Sequence, residues 1–243
     1  MLLSKLMNIT NTLVSLTCVA VLSEVAYQVY KRFKRRHTKG SLTNALIQCY
    51  KLANETEQLN KVLFFPDPGY VCRRTLSGRE CRNKNCFAAH DDTSLCCLLK
   101  VLQLCKVKVD VCVYMMTCSI LADSLVQCSE ERGVAVRVIT EEKNSGEEGG
   151  EMIGAQIGKL RSAGIAVQCS SSSYWMHHKF LVADDEVLVN GSFNWTNQAV
   201  LGNFENLIVT SERDLVQPFV TEFERLWEKL SSSTVEANNV SVH

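Results

Sequence analysis

Tyr174-Trp-Met-His177-His178-Lys179-Phe-Leu-Val-Ala-Asp184, followed by Gly191-Ser192-Phe193-Asn194-Trp195, is the stretch from which the fold can be read. His177 and Lys179 alternate with apolar neighbours where a strand begins, and side chains two apart on a strand share a face. The run 179–184 turns tightly, and 186–190 reads as the returning strand. That return delivers Gly191, Ser192 and Asn194 beside His177 and Lys179. A histidine that serves as nucleophile or general acid, a lysine that neutralises non-bridging oxygens, and Ser and Asn donors form a site suited to a phosphoryl group. Protein-borne cations leave no need for a catalytic metal. By the same alternation His178 faces away from His177 and reads as a packed or surface side chain.

Outward from this stretch, strand and helix patterns alternate. Residues 41–60 have helical spacing, and 61–65 is a short apolar strand stopped by Pro66-Asp-Pro68. A helix runs from Asp91 to about Cys105, with Asp91, Asp92 or Thr93 as its N-cap. Then follow strand 108–115, helix 119–132, strand 134–140, helix 151–163 and strand 165–169. After the central hairpin come strand 205–210, an amphipathic helix over 214–230 and a frayed, disordered polar tail, 231–243. The pattern predicts an α/β fold with helices flanking a mixed sheet. The acidic, glycine-rich run Glu141–Glu151 reads as a solvated surface loop.

The chain has 26 basic and 26 acidic residues among 243, but they are unevenly spread. Residues 1–40 hold seven cations against Glu24, a net +6, and the body is mildly acidic. Bulk charge therefore gives no footprint for nucleic acid. Segment 6–30 is long enough to span a bilayer, although Asn8, Asn11 and Glu24 interrupt it. A cleaved secretory signal is the competing reading. The basic flank 31–40, with Lys31-Arg-Phe-Lys-Arg-Arg36, instead predicts an uncleaved single-pass anchor with the body in the cytosol. Cys96, Cys97, Cys105, Cys112 and Cys118 fall in or beside apolar runs, as free thiols that pack as small hydrophobes.

The spacing His-x-Lys-x4-Asp-x6-Gly-Ser-x-Asn resembles the HKD motif of the phospholipase D superfamily and matches it at every motif position. Val62-Leu-Phe-Phe-Pro66, Gly154-x-Gln156-Ile-Gly158, Met176-His-His-Lys-Phe180 and Phe223-Glu-x-x-Trp227 narrow the likeness to the mitochondrial cardiolipin hydrolase and Zucchini endonuclease branch. It covers roughly residues 6–230. The resemblance implies a phospholipase D-like catalytic domain over 41–230, anchored in the mitochondrial outer membrane and facing the cytosol. Its implied substrates are cardiolipin, single-stranded RNA in piRNA production, or both. His177 falls on the family's nucleophile, Lys179 on its phosphate-binding lysine and Asp184 on the motif aspartate. Ser192 and Asn194 fall on the family's Ser and Asn. Glu205 matches the carboxylate that in related enzymes accepts a hydrogen bond from the catalytic imidazole.

One copy of the motif does not complete this chemistry, because a nucleophile and a proton donor must stand on opposite sides of phosphorus. The nearest second match, His37-Thr-Lys39, has Asn44 where Asp is required. A second chain must supply the other histidine, which predicts a homodimer with a two-fold axis through a shared site.

Cys72-x8-Cys81-x4-Cys86-x3-His90 is a second constellation. Three thiols and an imidazole make a closed structural zinc site, or else three loop thiols near an unrelated histidine. The family's own Cys/His insertion favours zinc over 72–90. Arg73, Arg74, Arg79, Arg82 and Lys84 in this insertion read as a contact for RNA backbone or lipid head groups, or as a solvated loop. A catalytically inactive adaptor at the mitochondrial surface is the rival from another class. The intact motif argues against it.

Overall fold

The computed structural model describes residues 41–50, 58–77, 79–90, 92–141, 156–170 and 174–240, with side chains as far as 232. In chain order they form α1 (Leu42–Cys49), β1 (Asn60–Phe64), the single turn α2 (Arg73–Leu76), α3 (Ser94–Leu104), β2 (Lys108–Val113), α4 (Ser119–Glu130) and β3 (Ala135–Glu141). They continue with α5 (Ile157–Ser162), β4 (Ala166–Ser170), β5 (Lys179–Ala183), β6 (Val187–Gly191), α6 (Asn197–Leu201), β7 (Asn206–Thr210) and α7 (Arg213–Val240). The anchor expected at 6–30 and its flank at 31–40 lie outside the described residues. Among the described residues no helix is long and apolar enough to cross a membrane.

Seven strands make one mixed sheet in the order β1-β7-β6-β5-β2-β3-β4. β2, β3 and β4 run parallel. β5 joins β2 antiparallel, and β5, β6, β7 and β1 continue as an antiparallel ladder. β5 shows why the central strands are apolar on both sides: Leu181 and Ala183 enter one core, Phe180 and Val182 the other. The first core includes Leu98 and Leu102 of α3 and Leu121 and Leu125 of α4. In the second, Val216 and Phe223 of α7 meet Cys112, Ile139 and Leu188. Among the described residues no cysteine is in a disulfide, and most are buried as the apolar pattern predicts.

Local chemistry fixes the element ends. Thr93 caps α3, its hydroxyl accepting from Cys96 N–H at 3.2 Å. Asp67 adds two acceptors, at 3.1 Å from Ser94 N–H and 2.7 Å from Leu95 N–H. At the acidic run the structure corrects the sequence reading. Glu141 is the last residue of β3 and fully buried, whereas 142–150 lie outside the described residues. At the C-terminus α7 continues past 230 to Val240, where a frayed tail was expected. That stretch carries no Gly or Pro to stop a helix. Ser231 and Ser232 donate their hydroxyls to the carbonyls of Trp227 and Glu228, four residues back, and so stay within the helix.

Candidate active site

His177 and Lys179 stand where β5 begins, level with the C-terminal ends of the parallel strands β2 and β3. Lys179 pairs across with Val113, and Phe180 with Asn190. Both chain neighbours of His177 are pinned. Glu141 Oε2 accepts the Met176 N–H at 3.0 Å, and Tyr114 N–H donates to the His178 carbonyl at 3.0 Å. The Tyr114 ring lies 5.0 Å from the His177 ring and 5.7 Å from that of Trp175. Tyr114 and Glu141 are the residues that sequence reading missed. The available signal was Glu141 at the end of a strand whose preceding residues mix Val136, Val138 and Ile139 with Arg137.

Lys179 Nζ donates to the His177 carbonyl at 3.0 Å and stands 3.3 Å from its Nδ1. Burial, then the charges of Lys179 and His178, hold the His177 pKa below the ordinary histidine value. The imidazole is therefore neutral at neutral pH, as a nucleophile must be. Burial also lowers the Lys179 pKa, with Glu205 pulling the other way. His178 turns to α7, where its Nε2 is 3.6 Å from Glu222 Oε1.

Ser192, Asn194 and Glu205 come from the other side. Ser192 Oγ donates to Glu205 Oε2 at 2.5 Å and accepts from Asn206 N–H at 3.1 Å. Asn203 Nδ2 donates to Glu205 Oε1 at 3.2 Å. The Glu205 carboxylate is thus directed at Ser192 and Asn203, where sequence reasoning had expected the imidazole. Asn194 Oδ1 is buried and has no hydrogen-bond partner among the described residues. Gly191 permits this packing, since a Cβ there would lie 2.1 Å from the Asn206 carbonyl oxygen. Phe193 stacks on Phe65 at 4.2 Å, and Phe65 N–H donates to the Glu205 carbonyl at 2.9 Å, which fixes the loop carrying that carboxylate.

Asp184 is not brought to His177. It sits past the opposite end of β5, where its carboxylate accepts from the backbone N–H groups of Lys106 (2.8 Å), Val107 (2.7 Å) and Lys108 (2.9 Å). Asp184 and Asp185 both take left-handed backbone conformations, at φ 56° and 57°, and so turn the hairpin. The motif aspartate therefore anchors β5 at its hairpin end, opposite the end that carries Lys179.

Cys72, Cys81, Cys86 and His90 do converge, with one ligand atom from each lying within 4.8 Å of all the others. The base of their loop is closed by Cys72 N–H to Ala89 O at 2.9 Å and Ala89 N–H to Tyr70 O at 2.8 Å. Hydrogen bonding to the Thr75 backbone, against burial, lowers the Cys72 thiol to about 6. Three thiols, one of them readily ionised, and one imidazole fit a tetrahedral zinc ion.

Comparison with known proteins matches residues 98–227 to the family described as cardiolipin synthase, PLD-like domain. A mitochondrial cardiolipin hydrolase of Xenopus laevis is 36% identical over 207 residues, 85% of this chain and 94% of that protein. One of Chlamydomonas reinhardtii is 36% identical over 168 residues, covering 69% and 73% of the two chains. Among solved structures, Nuc from Salmonella typhimurium, a phospholipase D family member, aligns with a TM-score of 0.53 at 19% identity, over 70% of this chain and 95% of that one. NucT from Helicobacter pylori aligns with a TM-score of 0.51 at 18% identity, over 70% and 96%. Both carry the same fold.

Proposed function

Because the chain belongs to the phospholipase D-like family of phosphodiester hydrolases, we propose that it hydrolyses cardiolipin through a covalent intermediate on His177. The observation that carries this reading is a neutral imidazole, pinned on both sides, with the Lys179 ammonium 3.3 Å from its Nδ1. The ring nitrogen that carries no proton is the one that meets phosphorus. It attacks, the bond to the bridging glycerol oxygen breaks, and phosphatidylglycerol leaves. Lys179 neutralises the non-bridging oxygens, and Ser192 and Asn194 flank them. Water then attacks the phosphohistidine, releasing phosphatidic acid and restoring the imidazole.

The leaving oxygen needs a proton from the far side of phosphorus, and His177 cannot stand in both places. A second copy would supply its own His177 across a two-fold axis, held as the imidazolium by the bound phosphate between the two rings. An exposed apolar face beside the site supports this: Val62, Phe64 and Ile208 on β1 and β7, with Phe204 next to Glu205. Phe64 is 70% and Phe204 94% exposed, more than a surface without a partner usually leaves in water.

One structural zinc ion would be held by Cys72, Cys81, Cys86 and His90, cross-linking the loop. All four positions are taken by protein, so it would activate no water. The names of the relatives support a mitochondrial location. The basic flank at 31–40 supports an outer-membrane anchor with the body facing the cytosol. A second reading, cleavage of single-stranded RNA in piRNA production, is favoured by the exposed rings of Tyr174 and Trp175 beside His177, on which bases would stack.

The test incubates full-length protein and its His177→Asn variant with cardiolipin liposomes and, separately, with labelled single-stranded RNA. Phosphatidic acid from the wild type alone is the expected result. Cleavage of RNA without lipid turnover would replace the substrate. Inactivity in both assays would return the chain to the adaptor class.

A further inference from the structure

The loop 72–90 presents a surface that the hydrolytic reaction does not use. Arg73, Arg74, Arg79, Arg82 and Lys84 are all exposed there, against the single exposed carboxylate of Glu80. Beside them Phe87 stands 100% exposed. A phenyl ring in water forfeits the transfer energy that normally buries it. Hydrogen bonds shape the turn that precedes it. Asn83 accepts from Asn85 N–H through its side chain at 3.0 Å and from Cys86 N–H through its carbonyl at 3.2 Å, a turn that ends beside the ring. An apolar ring held on a preformed loop among cations has the composition of an interfacial anchor, with the ring at the acyl boundary and the charges against lipid phosphates.

We propose that this loop docks the catalytic domain on an anionic lipid bilayer, with Phe87 entering the head-group boundary and the five cations held over the lipid phosphates. Single-stranded RNA has the same phosphate chemistry, but its sequence-tolerant binding uses successive aromatic side chains along a groove. Phe87 is the one aromatic residue between 71 and 90. A bilayer needs only one ring and net positive charge. The docking deepens the hydrolytic reading by bringing the site to its lipid, yet stands whether or not cardiolipin is the substrate.

Full-length Phe87→Trp protein is added to vesicles of phosphatidylcholine with brominated acyl chains, either alone or mixed with an equal part of phosphatidylserine. Cardiolipin is left out, so failure of docking is separable from failure of the substrate assignment. The wild-type chain supplies the background from Trp175, Trp195 and Trp227. The added indole should be quenched beyond that background in the mixed vesicles and not in phosphatidylcholine alone. Combining Arg82→Glu with Lys84→Glu leaves three cations against three carboxylates, and should weaken docking on the order of a hundredfold. Quenching no greater than background in the anionic vesicles overturns the proposal, as does equal quenching in both lipids. RNA that quenches the indole without vesicles, and loses affinity on the double charge reversal while lipid does nothing, would assign the surface to nucleic acid instead.

Discussion

At the scale of the residue, His177 is tuned by its surroundings before any substrate arrives. Burial, then the charge of Lys179, disfavours its protonated form. A histidine with a lowered pKa stays neutral as the pH falls through the ordinary histidine range, so the acid limb of activity should lie below that range. Replacing Lys179 by Met removes one of the repelling charges, and the His177 pKa should rise toward its ordinary value. Titration of the imidazole resonances by NMR checks this, and no movement would mean that Lys179 has no electrostatic hold on the ring. The pair was legible in sequence because strand alternation is a local rule: residues 177 and 179 must share a face. Glu141 was not, since it reaches Met176 from another strand, 35 residues earlier in the chain. Asp184 was grouped with the catalytic pair because a motif records which residues travel together and not where each one points.

At the scale of the element, β5 is held at both ends, by Tyr114 and Glu141 near His177 and by Asp184 at the hairpin. Asp184→Ala leaves three backbone N–H groups without their carboxylate and should cost roughly 2–4 kcal/mol. Urea unfolding measures the loss, and an unchanged midpoint would remove Asp184 from its anchoring role. The long elements were legible from apolar period. The single turns α2 and α6 were not, because four or five residues carry too little of a helical repeat to show one. The Cys/His loop was legible as a ligand set, and its tight clustering had to come from the fold. Chelation of the purified protein should open 72–90 to a protease specific for Arg while the sheet stays folded. Cys81→Ser with Cys86→Ser should abolish the bound zinc found by metal analysis. Zinc unaffected by that double change would sink the site.

For the whole molecule, the proposed sharing of the site by two copies predicts a response to mixing. When wild-type and His177→Asn chains are co-expressed in equal amounts, a shared site leaves active only the pairs with two intact chains, about a quarter of the total. Independent sites leave about a half. Activity per chain across mixing ratios separates a squared from a linear dependence, and a linear one would return the whole reaction to a single chain. The order of the strands also carries a consequence in time. Among the described residues β1, near their start, pairs only with β7, and Ser192 is anchored by Asn206 at the opening of that same strand. Until residue 206 has left the ribosome, Ser192 has neither its backbone nor its carboxylate partner, and β1 stands unpaired. A chain still being made therefore carries its histidine and lysine in an unfinished frame. The frame around the phosphodiester site is thus closed only by the last strand of the sheet.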